Sequence, residues 1–89
     1  MSFASDEMEA VAEIVREKSS DIRVGVEPAT GETHIWLFGY GSHSVLFRAP
    51  YAGMTVYEVR PPWNGEPERF AKLRNAVTKA IELLQSQPV

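Results

Sequence analysis

The sequence predicts an α+β domain in which a helix, a four-stranded antiparallel meander sheet and a second helix follow one another (α-β-β-β-β-α). Apolar residues recur at helical spacing near both ends of the chain, and they alternate with polar residues or form short runs in between. Turns that contain Gly or Pro separate the runs. Such short turns join antiparallel strands, because parallel neighbours need long crossovers. We expect residues 1–89 to form a single domain.

The first helix is expected over about residues 5–19. Ser5 is a candidate N-cap, and the carboxylates of Asp6 and Glu7 suit the positive end of the helix dipole. The helix has one apolar stripe, formed by Met8, Val11, Ala12 and Val15. The opposite side carries an acidic ridge, formed by Asp6, Glu9, Glu13 and Glu17. A solvated surface is the usual role of such a ridge, and docking to a basic partner is the alternative.

Four strands are expected between the helices. Their sequences are IRVGVE, THIWLF or THIWLFGY, SVLFRA, and MTVYEVR. Pro28, Pro50 and Pro61 are expected to end the first, third and fourth strands, because proline cannot donate a hydrogen bond to a sheet.

The second helix is the clearest element. Pro67 suits its first position, and Glu68 and Lys72 stand in the favourable i,i+4 order. Its apolar stripe comprises Phe70, Leu73, Val77, Ala80, Ile81 and Leu84. Each helix has one apolar stripe, so we expect both helices on one face of the sheet, with opposite faces as the alternative.

The stretch HIWLFGYGSHSVLF raises the question of what covers the sheet, because it is apolar on both sides of a hairpin. With a two-residue turn at Tyr40 and Gly41, one side carries the cross-strand pairs Phe38–His43, Trp36–Val45 and His34–Phe47. The other side then carries Ile35 with Leu46 and Leu37 with Ser44. A loop one residue longer would place Trp36 and Phe38 beside Leu46 instead.

Three explanations fit two apolar sides: one helix covers each side, a second copy covers the free side, or that side receives another protein or an apolar ligand. We favour the second copy, because large exposed aromatic patches are uncommon on monomers. The candidate protein-binding residues are Trp36, Phe38, Tyr40, His43, Val45, Phe47 and Trp63. Trp63, in PPWNGEP, either caps the core or serves as an exposed aromatic anchor.

Composition argues against several functions. The chain has no cysteine, so disulfides and thiolate chemistry are absent, and its net charge of −3 disfavours direct nucleic-acid binding. His34 and His43 have no third ligand at a suitable spacing, so we expect no metal site and no cofactor. In a strand, Ser42 and Ser44 point away from His43, which argues against catalysis by SHS. No signal peptide or membrane segment is expected, and the cytoplasm is the expected location.

These observations predict a small non-enzymatic protein that forms a homodimer through an apolar sheet face and acts by binding another protein. Inhibitors, immunity or antitoxin proteins, chaperones and phage regulators share this physical character. One alternative is an acidic blocker that occupies a nucleic-acid-binding surface through the first-helix ridge. Another is a small-ligand binder or enzyme with a pocket near His34 and His43.

Overall fold

A computed structural model describes residues 3–29, 32–61 and 66–86 of the chain. The elements are α1 (Ser5–Lys18), β1 (Arg23–Ala29), β2 (Glu32–Gly39), β3 (Ser42–Tyr51), β4 (Met54–Arg60), β5 (Glu68–Phe70) and α2 (Leu73–Gln85). The strands form one antiparallel sheet in the order β1-β2-β3-β4-β5. The predicted α+β class and the order of helix, strands and helix are confirmed, but the sheet has five strands and not four.

Both helices cover one side of the sheet, which we call the inner face. α2 contacts β2, β3, β4 and β5, whereas α1 packs against α2 and β1. One core cluster joins buried side chains of both helices to sheet residues that include Ile35, Leu37, Leu46 and Val59. Burial of such a side chain contributes about 1.5–3 kcal/mol. The prediction that both helices share a face is therefore confirmed, and the alternative with helices on opposite faces is wrong.

The β2–β3 hairpin has the two-residue turn that its sequence predicts. Tyr40 and Gly41 both have positive φ, at 53° and 76°. Positive φ at both turn residues matches the twist of the flanking strands. The resulting pairs include Gly39 with Ser42 and Phe38 with His43, so the register expected for the shorter loop is confirmed.

The strand β5 occupies residues that the sequence pattern assigns to the second helix. That helix begins at Leu73, after the N-cap residue Lys72, and Pro67 consequently precedes a strand. Phe70 pairs with Tyr57 across the sheet and packs against the same core that the helix covers. Phe70 therefore matches the apolar spacing of the second helix by coincidence, whereas its backbone belongs to a strand that pairs with β4.

The predicted Glu68–Lys72 helix pair is wrong for the same reason. Glu68 lies in β5, and its Oε1 is 3.9 Å from Nζ of Lys79 in α2. This contact is exposed, with Glu68 at 56% side-chain exposure, so it adds little stability.

Three element ends also differ from expectation. β1 does not end at Pro28 but continues to Ala29. It is an edge strand of the sheet, where a residue without an N–H is tolerated. The N-cap of α1 is Ala4 and not Ser5, and the Ala4 N–H donates to Oε1 of Glu7 at 2.9 Å. β3 continues through Pro50 to Tyr51. Pro50 pairs with Thr55 of β4 and lies beyond the last β2–β3 pair, so its missing N–H leaves no gap on the β2 side.

Candidate binding surface

The sheet side opposite the helices, which we call the outer face, carries most of the candidate binding residues. Alternation along the paired strands places five of the seven there, together with His34: Trp36, Phe38, His43, Val45 and Phe47. Within the described ranges, both helices lie on the inner face. Consecutive residues of β2 show the difference, because Leu37 is fully buried whereas Phe38 is 43% exposed.

The first part of the outer face is an aromatic half on β2 and β3, formed by Trp36, Phe38 and His43. The rings of Trp36 and Phe38 are nearly parallel, with centroids 5.9 Å apart, and the His43 ring lies 4.9 Å from Trp36. Gly25 of β1 pairs with Trp36, and a Cβ there would lie 3.0 Å from the Phe38 ring. The missing side chain at Gly25 therefore gives Phe38 room to lie across the sheet beside Trp36.

The second part is an arginine half on β3, β4 and β5, formed by Phe47, Tyr51, Arg60 and Arg69. The Arg60 guanidinium lies 4.5 Å from the centre of the Phe47 ring, and the Arg69 guanidinium lies 4.6 Å from that of Tyr51. These distances suit cation–π attraction. Tyr51 is 54% exposed, so its ring and the guanidinium above it form part of the accessible surface.

Two valines of the outer-face strands are also largely screened from solvent. Val45 and Val56 are 9% and 7% exposed, yet neither belongs to the core cluster of the inner face. Nε1 of Trp36 is also screened from solvent and has no hydrogen-bond partner among the described residues. The indole therefore contributes apolar area to this layer and no hydrogen bond. The outer face is thus a second, thinner apolar layer with half-exposed aromatic rings above it.

Tyr40 does not join this surface. It lies in the β2–β3 turn, and its hydroxyl is 3.2 Å from Oγ of Ser19 at the end of α1. Trp63, the remaining candidate binding residue, lies outside the described residues.

An open depression of about 400 Å³ adjoins the aromatic half at the hairpin end. Its lining residues are Asp21, Arg23, Phe38, Gly39, Gly41, Ser42 and His43. His34 is not among them, and its ring instead contacts Phe47, with centroids 4.2 Å apart. The two histidines therefore share the outer face without lining this depression together.

The SHS segment divides between the two faces. Ser44 is fully buried on the inner face, and its hydroxyl donates to the carbonyl oxygen of Ala80 at 3.3 Å. His43 is exposed on the outer face. Over residues 3–29, 32–61 and 66–86, no group of three or more His, Cys, Asp or Glu side chains is placed to bind a metal.

The acidic ridge of α1 lies away from the sheet. All four of its side chains are exposed: Asp6, Glu9, Glu13 and Glu17. Oε2 of Glu17 is 3.3 Å from a guanidinium nitrogen of Arg74 in α2, with both side chains 60% exposed. Such an exposed pair is typical of a solvated surface and holds the ridge only weakly.

A polar contact between α1 and the sheet joins residues whose pairing the sequence pattern did not predict. Oε1 of Glu7 lies 3.2 Å from Nε of Arg48, and the Tyr57 hydroxyl donates to the other carboxylate oxygen. Burial alone would raise the pKa of Glu7, but hydrogen bonds from Tyr57 and Ala4, together with the charge of Arg48, hold it below its ordinary value. The position of Glu7, three residues after Ala4, is the one sequence signal for this arrangement.

Burial and the hydrogen bond to Glu7 raise the pKa of Tyr57. The Tyr57 ring also stacks on the buried ring of Phe3, with centroids 6.1 Å apart. These contacts attach the start of the chain to β3 and β4 on the inner face, so this cluster serves the fold and leaves the outer face as the candidate binding surface.

Comparisons with protein-family models, with curated proteins and with solved structures found no match to this chain. In the part of the chain that the structure describes, neither helix is long and apolar enough to span a membrane.

Proposed function

We propose that this chain is a non-enzymatic protein–protein interaction module that forms a homodimer through its outer face and acts by binding another protein. The observation that carries the proposal is the group of half-exposed aromatic side chains, with the screened Val45 and Val56, on the sheet side that neither described helix covers. Aromatic side chains dominate binding energies, because they bury large areas at a small cost in side-chain entropy.

The division of the outer face into two halves favours a second copy as the occupant. In an interface with two-fold symmetry, each contact occurs twice. If one residue of the first copy contacts another residue of the second copy, the same two residues also meet with the copies exchanged. The aromatic half of one copy would then meet the arginine half of the other, and the same contact would occur twice. Arg60 and Arg69 each stack on one ring of their own chain, which leaves the opposite side of each guanidinium for a ring of the partner.

The charges around the outer face also permit self-association. Arg23, Arg60 and Arg69 lie on its strands, whereas Glu58 is the register partner of Phe47 and Asp21 lines the adjoining depression. Among these described side chains, three bases accompany two acids. Because the excess is a single charge on each copy, two such faces meet without a large like-charge repulsion.

A dimer of this form leaves α1 accessible for a further partner. The acidic ridge lies on the helix side of the sheet, with all four carboxylates exposed. A basic protein surface, including one that otherwise holds nucleic acid, is the partner that such a ridge would attract. Reversal of the charge at Glu9, Glu13 and Glu17 should then abolish binding to that partner, and unchanged binding would exclude the ridge.

The cysteine-free composition is our ground for proposing a cytoplasmic location.

The direct test is the mass in solution of the wild type and of Phe38→Glu, measured by sedimentation equilibrium. We expect the wild type to be a dimer. Phe38→Glu should remain folded and become monomeric, because it places a charge within the aromatic half. Trp36→Glu tests the same surface at a less exposed position.

Val26→Glu is the matched control. Val26 is 47% exposed, which is similar to Phe38, but alternation along β1 places it on the helix side of the sheet. This variant should stay dimeric. A monomeric wild type, or loss of the dimer in Val26→Glu with retention in Phe38→Glu, would contradict the proposed interface.

A further inference from the structure

The two edges of the five-stranded sheet differ in length. At one edge β5 has three residues, whereas at the other edge β1 has seven. Among the described residues, no strand pairs with β1 on the side away from β2, which we call the open edge. A long edge strand presents a row of unpaired backbone N–H and C=O groups, and another extended segment can pair with them.

The register of the sheet decides which backbone groups of β1 face the open edge. The turn between β2 and β3 has two residues, so Gly39, which flanks it, forms a hydrogen-bonded pair with its partner on β3. Successive residues of a strand direct their backbone groups to opposite neighbours, so Trp36 directs its groups to β1. Its register partner is Gly25, which therefore bonds to β2. The N–H and C=O groups of Val24 and Val26 consequently point to the open edge.

Pro28 fits this arrangement and limits the site. It follows Val26 by two residues, so its nitrogen lies on the open edge and its missing N–H interrupts no bond to β2. An added strand would find an acceptor at Pro28 but no donor. The backbone groups that can form a full set of hydrogen bonds are therefore those within residues 23–26.

The side chains along this segment favour an apolar partner strand. Val26 lies on the inner face and is nevertheless 47% exposed, so α1 leaves apolar surface uncovered beside the open edge. On the outer face Gly25 has no side chain, which lets another backbone approach closely. The ring of Phe38 extends over this position, because a Cβ at Gly25 would lie 3.0 Å from it. An added strand would thus meet apolar groups on both of its sides.

Charge restricts the partner further. Arg23 is exposed, and among the described residues no carboxylate forms an ion pair with its guanidinium. A carboxylate on the added strand opposite Arg23 would supply the missing charge. Such a pair at the rim of a contact adds little affinity, but it favours one register and disfavours a basic partner segment.

We propose that the open edge of β1 binds an extended segment of a partner protein, which adds to the sheet as a further antiparallel strand beside residues 23–26. The partner segment has apolar residues opposite Val24, Gly25 and Val26 and a carboxylate opposite Arg23. Backbone hydrogen bonds supply the affinity, and the alternating side chains supply the specificity. This site goes beyond the outer-face homodimer, because it lies at the sheet edge and needs no second copy.

The first experiment uses the synthetic peptide acetyl-TTVIVET-amide with a fluorescent label, and measures binding by anisotropy. Paired antiparallel to β1, this peptide places its valines opposite Val24 and Val26 and its glutamate opposite Arg23. The control peptide acetyl-TTVIPET-amide has proline opposite Val24 and cannot donate to the carbonyl oxygen there. We expect the wild type to bind the control at least about tenfold more weakly. Absence of binding to the first peptide, or equal binding of both peptides, would overturn the proposal.

Amide hydrogen exchange, followed by NMR, shows where the peptide binds. In the free protein the amides of Val24 and Val26 should exchange faster than that of Gly25, whose N–H bonds to β2. The peptide TTVIVET should slow exchange at Val24 and Val26 and leave Gly25 nearly unchanged. Binding without slower exchange at these two valines would place the peptide elsewhere and overturn the proposal.

A pair of variants at Val26 tests the backbone contribution. Val26→Pro removes a donor at the open edge without removing a hydrogen bond to β2, and should weaken binding of TTVIVET at least about tenfold. Val26→Thr keeps the N–H and the branched Cβ, and should stay within about threefold of the wild type. Unchanged binding by folded Val26→Pro would contradict the proposed pairing. If Val26→Pro does not fold, the proline peptide and the exchange data still decide.

Sedimentation equilibrium of the same samples separates this site from the homodimer. A wild-type monomer that binds TTVIVET would overturn the homodimer alone, and a wild-type dimer that does not bind it would overturn the edge site alone. Val26→Pro should remain dimeric, because it leaves the outer face unchanged. A monomeric Val26→Pro beside a dimeric Phe38→Glu would mean that a second copy occupies the open edge, and would overturn both proposals.

Discussion

The two faces of the sheet are built from neighbouring residues of the same strands and yet differ in how they are covered. On the inner face, Leu37 and Leu46 are fully buried beneath two helices. On the outer face, Phe38 is 43% exposed, and Val45 is 9% exposed although no described helix lies above it. Apolar character is similar on the two faces, so composition alone does not tell core from surface. The position of the two described helices makes the difference, and the outer face is the surface that we propose for association.

The same contrast applies to polar groups. On the inner face, the described polar groups Ser44 and Glu7 have partners: Ser44 bonds to Ala80, and Glu7 contacts Arg48 and Tyr57. The outer face instead carries histidines and arginines in contact with aromatic rings. A buried polar group without a partner is costly, whereas a half-exposed one keeps part of its hydration. The inner face is therefore specialised for stability, and the outer face is the surface for which we propose a contact that can form and break.

The largest effect is expected from truncating consecutive residues of β2. Leu37→Ala should lower the free energy of unfolding by about 3 kcal/mol, because it removes buried methyl groups and leaves a cavity. Phe38→Ala should lower it by less than about 1 kcal/mol, since its ring is half exposed. Urea unfolding, at a protein concentration at which the wild type is monomeric, measures both. Equal losses would mean that the outer face is as much a part of the core as the inner face.

Alanine substitutions at two strand glycines should give the next largest change in the free energy of unfolding. A Cβ at Gly39 would lie 2.9 Å from Cγ1 of buried Ile22 and 3.3 Å from a backbone oxygen, so Gly39→Ala should cost about 1–3 kcal/mol. At Gly25 the obstacle is the edge of the Phe38 ring, which is free to move, so Gly25→Ala should change stability by less than about 0.5 kcal/mol. Urea unfolding of the two variants compares how firmly each face is packed. A larger loss of stability for Gly25→Ala than for Gly39→Ala would contradict the conclusion that the inner face is the more tightly packed of the two.

A smaller effect is expected at the inner-face carboxylate. Glu7→Gln should lower the free energy of unfolding by about 1 kcal/mol at pH 7, because it weakens hydrogen bonds to Arg48 and Tyr57 at a site that solvent still reaches. The pKa of Glu7 is lowered in the folded protein. Its contribution is therefore present above the ordinary carboxyl pKa and is lost as the pH falls through the lowered value.

The difference between wild type and Glu7→Gln should accordingly shrink between pH 5 and pH 3, as measured by urea unfolding at both values. Glu9→Gln, on the exposed side of the same helix, is the control and should change stability by less than about 0.5 kcal/mol. A difference that grows on acidification would contradict the assigned role of Glu7.

Most of the fold could be predicted from local patterns. The two-residue hairpin at Tyr40 and Gly41 follows from turn chemistry, because glycine readily adopts positive φ and the flanking runs are extended. β5 could not be predicted, since three residues with one apolar side chain fit the helical stripe as well as a strand. Its backbone pairs with β4 only once the chain has returned to that edge of the sheet.

Part of the candidate binding surface could also be predicted from local patterns. Alternation and register place Trp36 and Phe38 on one face, and the structure confirms that placement. Tyr40 is different, because a turn residue has no assigned face, and its hydroxyl lies beside Ser19 of α1. The ion pair of Glu7 with Arg48 joins positions 41 residues apart, and sequence spacing contains no signal for such a pair.

The sequence by itself determined the α+β class, the two amphipathic helices and a hairpin with two apolar sides, because these follow from side-chain periodicity and turn chemistry over a few residues. The tertiary structure decided which side the helices cover, the existence of β5 and the partners of Glu7. These features depend on contacts between segments that are distant in the sequence. Local patterns are compatible with several arrangements of these segments, and the packing of the whole chain selects one of them. HIWLFGYGSHSVLF thus contributes Leu37 to the core and Phe38 to the outer face, although the two residues are adjacent in the chain.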